Sequence, residues 1–200
     1  MAKLYFKYGA MNSGKTTDLI QAAFNYEERG MTVLVIKPYI DTKGSDYIVS
    51  RIGAQRKVDI LTTPEMNLYD EVLKINLYGK IDCVFSDESQ FLEPHQVDEL
   101  LRVAVMLDIP VICYGLRTDF LMNGFPGATR LLQIAHSLEE LKTICSCGKK
   151  AVINARLVGG KYVFEGSQIA IDDQDSVSYQ ALCAECYFKA KEKYLTEQQV

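Results

Sequence analysis

The sequence predicts an α/β protein with a mostly parallel sheet, followed by a small C-terminal β module built around cysteines. Three observations carry this. Short, continuously apolar runs alternate with helical periodicity over the first two thirds of the 200 residues. A glycine loop joins the first such run to the first helix. Beyond about Cys145 the pattern changes to short strand-like stretches between two cysteine pairs.

In chain order the candidate strands are Leu4–Tyr8, Thr32–Ile36, Val58–Leu61, Cys83–Ser86 and Val111–Tyr114. Each is bounded by Gly, Pro or Asp and is too continuously apolar for a half-exposed antiparallel strand, as expected where helices cover both faces. The spacing predicts a helix over Lys15 to Arg29, because Leu19, Ala22, Ala23 and Tyr26 recur at helical intervals and Gly30 supplies a stop. A second helix is predicted from Pro94 to Leu107, where Val97, Leu100, Leu101, Ala104 and Leu107 share a side and Pro94 suits a first turn. The division expected is a core over 1–143 and a cysteine module with a C-terminal helix over 144–200. In the module, Val152–Leu157 and Tyr162–Phe164 flank Gly159-Gly160 and read as a hairpin.

An apolar fraction of 48% suits a chain that buries a substantial core. The net charge of −4 argues against a broad phosphate-backbone footprint, so no nucleic-acid partner is expected. No apolar run approaches the roughly 18 residues that cross a bilayer. The first residues, Met1 to Phe6, lack the longer apolar region and cleavage site of an export signal. The expectation is a cytoplasmic protein, off the membrane, with reduced cysteines.

Gly9-Ala10-Met11-Asn12-Ser13-Gly14-Lys15-Thr16 matches the phosphate-loop pattern G-x-x-x-x-G-K-[ST] at every fixed position, after a predicted strand and before a predicted helix. The two glycines let successive N–H groups point at phosphate oxygens, and the helix N-terminus adds roughly half a positive charge there. Lys15 is expected to reach the β- and γ-phosphates of ATP, and the Thr16 hydroxyl to bind Mg²⁺.

Cys83-Val84-Phe85-Ser86-Asp87-Glu88 delivers two carboxylates at the C-terminal end of a strand, the edge where open parallel sheets bind ligands. Asp87 suits a magnesium role and Glu88 a general base. The pair leaves the reaction open: nucleic-acid ATPases aim such a glutamate at water, kinases at a substrate hydroxyl.

Cys145-x-Cys147 and Cys183-x-x-Cys186 are two local thiol pairs, suited to a closed tetrahedral structural zinc site. Cys83 and Cys113 fall inside predicted strands and read as core residues, and His95 and His136 as structural. The Gly115–Phe120 stretch follows the last strongly predicted strand. Phe120 and Phe125 are expected in an irregular loop, where they either cover a planar ligand or anchor the loop on the core, and Tyr179 either faces a ligand or packs the module.

With these residues in hand, the chain resembles the type II thymidine kinase family over nearly its whole length. The resemblance rests on Gly9–Thr16, on Lys37-Pro38 followed by Asp41, on Asp87-Glu88-Ser89-Gln90-Phe91, on Tyr114-Gly115-Leu116-Arg117-Thr118-Asp119-Phe120, and on the four cysteines in order. It implies a RecA-like P-loop core with a zinc-bound lasso, and transfer of the ATP γ-phosphate to the 5′-hydroxyl of thymidine. By the same resemblance Glu88 is the catalytic base, and Asp41, Asp87, Ser89 and Gln90 join the phosphate loop at the nucleotide. Phe91, Leu116, Phe120, Phe125 and Tyr179 enclose the thymidine, with main-chain atoms around Ile169, Ala170 and Ile171. A cytoplasmic homotetramer inhibited by thymidine triphosphate is also implied. The chain departs from the family pattern at Asp172-Asp173, at Asp41-Thr42-Lys43 and at Arg51.

Overall fold

A computed structural model describes residues 1–40, 46–168 and 177–198. Its centre is a six-stranded sheet of β1 (Leu4–Tyr8), β2 (Val33–Pro38), β5 (Ile60–Thr62), β6 (Cys83–Ser86), β7 (Val111–Gly115) and β8 (Ser137–Glu140). The spatial order is β5-β2-β6-β7-β1-β8, and every pairing is parallel. Two further strands, β3 (Tyr47–Val49) and β4 (Gln55–Lys57), form a separate antiparallel hairpin between β2 and β5 in sequence.

Alternation along the strands divides the core into two layers. Leu34, Ile36 and Val84 face a cluster shared with helices α2 (Leu68–Tyr78), α3 (Pro94–Met106) and α4 (Pro126–Ile134), through Leu68, Val72, Val97, Leu100, Val103 and Leu131. Val33, Val35, Cys83 and Phe85 face the opposite side, where α1 (Lys15–Glu27) contributes Leu19 and Ala23. Local signals start these helices where they start. The Asn67 side chain accepts the Asp70 N–H at the head of α2, and Glu93 and Gln96 form a reciprocal capping box ahead of Pro94 in α3.

The predicted helices are two residues and one residue shorter at their C-termini than expected, because Glu28 and Leu107 stand as C-caps, their N–H groups still bonded to the Phe24 and Val103 carbonyls. The edge strand β8 and helices α2 and α4 were not predicted. Phe125 follows the core-anchoring alternative, at a helix start and not in an irregular loop. It caps α4, is 4% exposed, and packs into the main core beside Ala128 and Leu131.

The C-terminal module contains a β9–β10 ribbon (Thr143–Ile144 with Lys150–Ala151) and a three-stranded antiparallel sheet. Its strands are β11 (Ile153–Val158), β12 (Lys161–Val163) and β13 (Val177–Leu182), with β11 central, and helix α5 (Ala184–Glu197) follows. The expected hairpin is thus β11–β12, and β13 adds a third strand. Among the described residues no helix is long and apolar enough to cross a membrane.

Candidate active site

Strands β6, β7 and β1 are neighbours, so the three segments that leave their C-terminal ends meet at one edge. After β1 comes the phosphate loop. Gly14 (φ 80°) and Asn12 (φ 67°) both adopt left-handed backbone there, which curls the loop. Gly9 tolerates no side chain, because a Cβ would lie 2.4 Å from the Leu141 carbonyl and 2.5 Å from Ser13 Oγ. Lys15 is buried, and its Nζ donates to the carbonyls of Ala10 (3.0 Å) and Gly9 (3.3 Å). Desolvation lowers its pKa, with the charges of Glu88 and Asp87 opposing and Arg51 adding to the fall.

After β6 come the two carboxylates, and their environments differ. Asp87 is buried, and the Thr16 hydroxyl donates to its Oδ2 at 3.2 Å. Its Oδ1 has no hydrogen-bond partner among the described residues. Burial, reinforced by Glu88, pushes its pKa up to about 7. A buried carboxylate with a free oxygen, beside a hydroxyl, is a hard oxygen donor set that fits a divalent cation. Glu88 stands in left-handed backbone (φ 47°, ψ 38°), unusual for a residue with a side chain and frequent at functional sites. Gln90, fully buried, donates from Nε2 to Glu88 Oε2 at 2.6 Å. Ser89 is turned inward, its hydroxyl donating to the Ser86 carbonyl at 2.9 Å.

Strand β7 ends at Gly115, and Leu116 follows it at this edge. Glu88 and Leu116 line a cleft of about 230 Å³ together with Asn12, Gly14, Lys15 and Thr16. The β3–β4 hairpin closes another wall with Ser50 and Arg51. The Ser50 hydroxyl is buried with no partner among the described residues. Phe91 and Phe125 meet edge to face at 5.5 Å. Phe120 is 1% exposed and lies under the Arg156 guanidinium, 3.7 Å from the ring centroid. Tyr179 accepts the Nε–H of the same arginine at 2.9 Å. The remaining expectations, Asp41 and Ile169 to Ile171, lie outside the described residues.

Ala10 of the phosphate loop is buried in the apolar core of the cysteine module, with Cys145, Ile153 and Tyr187. The four sulfurs of Cys145, Cys147, Cys183 and Cys186 lie within 4.8 Å of one another. Backbone N–H groups of Cys147 and Cys183 lower the Cys145 thiol to about 6, while the neighbouring sulfurs push Cys186 up to about 12. Four thiol sulfurs gathered this closely are a soft donor set that fits a divalent cation such as zinc at their centre.

Besides Ser50, the structure brings to this region Asn154 and Arg156, which no sequence motif marks. The available signal was alternation: in Ile153-Asn154-Ala155-Arg156 every second residue is polar within an otherwise apolar strand.

The strand, glycine loop and helix, joined through Thr16 to a buried strand-end carboxylate, define a P-loop nucleotide-binding enzyme. Comparison narrows the class. The family described as thymidine kinase matches residues 2–187. The thymidine kinase of Enterobacteria phage T4 is 48% identical over 180 residues, covering 89% of this chain and 93% of that one. The thymidine kinase of Vibrio vulnificus (strain CMCP6) is 45% identical over 192 residues, covering 95% and 98%. This chain belongs to the thymidine kinase family. Among solved structures, the replication initiator DnaA bound to AMPPCP and single-stranded DNA matches 70% of this chain and 40% of that chain, with a TM-score of 0.41 and 20% identity. That likeness is too distant to bear on function.

Proposed function

We propose that the protein transfers the γ-phosphate of ATP to the 5′-hydroxyl of thymidine, giving the 5′-monophosphate and ADP. The observation that carries the reading, within a thymidine kinase family chain, is Glu88: its carboxylate lines the same cleft as Lys15 and Thr16 and is oriented by Gln90. The hydroxyl oxygen attacks the γ-phosphorus, the bond to the β-phosphate oxygen breaks, and Glu88 accepts the hydroxyl proton. The amides of Gly9 to Thr16 and the Lys15 ammonium hold the triphosphate, with Asp41 at its margin. Thr16 and Asp87 would hold Mg²⁺, which neutralises charge on the phosphates when bound. Ser89 acts from behind, pinning the turn that carries Glu88 and Gln90.

Phe91, Leu116, Phe120, Phe125 and Tyr179 form the nucleoside wall in this reading, with Ile169, Ala170 and Ile171 contributing main chain. Zn²⁺ held by Cys145, Cys147, Cys183 and Cys186 is structural, because four sulfurs leave no open position for chemistry. The division into a 1–143 core and a 144–200 module, a cytoplasmic location, a homotetramer and inhibition by thymidine triphosphate complete the proposal.

The test is ATP-dependent phosphorylation of a nucleoside panel, with DNA-stimulated ATP hydrolysis as the control. Conversion of thymidine, unaffected by DNA, is the expected result. Hydrolysis accelerated by DNA with no nucleoside converted would overturn the reading and assign Glu88 to water.

A further inference from the structure

Strand β11 carries Asn154 and Arg156 on one face, alternating with Ile153 and Ala155, which lie in the core of the cysteine module. Both polar side chains are 5% exposed. A buried amide or guanidinium is costly unless satisfied, and here the principal partners are in segments outside β11. Asn154 Oδ1 accepts the Met11 N–H at 2.7 Å, which ties the phosphate loop to β11.

Arg156 reaches the other way. Its Nε donates to Tyr179 Oη at 2.9 Å, Nη1 to the Ser167 carbonyl at 2.9 Å and Nη2 to the Gln168 carbonyl at 3.1 Å. Its flat face covers the Phe120 ring. Gln168 Nε2 then donates to Asp119 Oδ2 at 3.2 Å, while Asp119 Oδ1 accepts the N–H groups of Leu121 and Asn123. The fork therefore fixes the loop that follows β7.

We infer that β11 is a gauge that sets the separation of the two substrates: Asn154 positions the phosphate loop, and Arg156 positions the nucleoside wall. The inference rests on the proposed reading, in which Phe120 and Tyr179 face the nucleoside. In-line transfer needs the reacting atoms within about 3–3.5 Å of each other, so two loops from different elements need a common reference. Two positions in one strand supply it, about 6.6 Å apart and rigidly coupled. Neither residue touches a reacting atom; both act through other groups.

The test separates the two substrates. Wild type, Asn154→Ala and Arg156→Lys are compared by the KM for ATP and for thymidine and by calorimetric ADP binding, with melting temperature checking that each variant folds. Asn154→Ala should raise the ATP KM and weaken ADP binding about fivefold to tenfold, leaving the thymidine KM within about twofold. Arg156→Lys keeps the charge but loses the fork, and should raise the thymidine KM about tenfold while ADP binding stays within about twofold. A purely structural role would move both substrates together in both variants, and that result overturns the gauge, as would no shift in either. Should Asn154→Ala fail to fold, Asn154→Ser asks the same question. A wild type that phosphorylates no nucleoside overturns the functional reading and the Arg156 half with it. An active wild type whose variants lack the split overturns the gauge alone.

Discussion

Gln90 bridges the two substrate-side loops: its Nε2 donates to Glu88 Oε2 across 2.6 Å while its Oε1 accepts the Leu116 N–H at 2.9 Å. One side-chain amide thereby fixes the carboxylate after β6 relative to the backbone after β7. Gln90→Leu keeps the bulk and removes both bonds. Its kcat for thymidine phosphorylation should fall about tenfold, with the ATP KM little changed. Steady-state kinetics check this, and a raised ATP KM at unchanged kcat would refute it.

Glu88→Gln keeps the shape and loses the basic oxygen. Turnover should drop by about two to four orders of magnitude while thymidine still binds with near-wild-type affinity. Single-turnover kinetics beside calorimetry separate the two effects, and near-wild-type turnover would remove Glu88 from the base role.

Asp87 sets a pH dependence. Its folded-state pKa of about 7 lies above the ordinary 3.8, because burial disfavours the charge and Glu88 adds to it. The sign follows from linkage. The stability contributed by this group is fully present below the ordinary value and is lost as pH rises through about 7. Without ligand, Asp87→Asn should therefore melt above wild type at about pH 8, and the gap should close toward about pH 4. Activity should be lost at both. Melting curves of the pair across that range decide it.

The close approach of α4 to the turn carrying Gln90 leaves no room at Gly127. A Cβ there would lie 2.5 Å from the Leu92 carbonyl oxygen, 2.6 Å from that of Ser89 and 3.0 Å from that of Gln90. Gly127→Ala should cost about 1–3 kcal/mol of stability and lower kcat as well, since the displaced backbone carries the support of Glu88. Chemical denaturation gives the first quantity and steady-state kinetics the second.

Metal analysis should find about one zinc per chain, and a strong chelator should lower the melting temperature. Because Ala10 packs in the cysteine module, nucleotide affinity should fall in the same titration. Metal loss without weaker ADP binding would show that the module and the phosphate loop are independent.

Much of this arrangement was legible in the sequence, and each omission has a physical reason. Strands β1 and β6 matched their apolar runs, and the phosphate loop, the two carboxylates and the cysteine pairs are local patterns, readable without knowing the fold. Strand β8 escaped because Ser137-Leu138-Glu139-Glu140 is an edge with little apolar content. Helix α4 hid behind the loop signals of Gly124, Pro126 and Gly127. Asn154, Arg156, Ser50 and the bridging role of Gln90 depend on contacts between segments distant in sequence, which no local periodicity encodes. Phe125 illustrates the opposite limit, because its glycine and proline neighbours read as irregular while tertiary packing buries it.

The position of β1 has a consequence for how the chain is made. Strand β1 lies inside the sheet, between β7 and β8, with Leu4 paired to Val111 and Tyr5 to Ser137. As the ribosome releases the chain from its N-terminal side, β1 has neither neighbour until Val111 and the residues after it have emerged. Closing so long a loop makes the pairing late and slow, and until then an apolar strand with two unpaired edges invites aggregation or chaperone capture. The phosphate loop hangs from that strand, so the nascent chain becomes able to grip a nucleotide only once β7 has emerged to pair with β1.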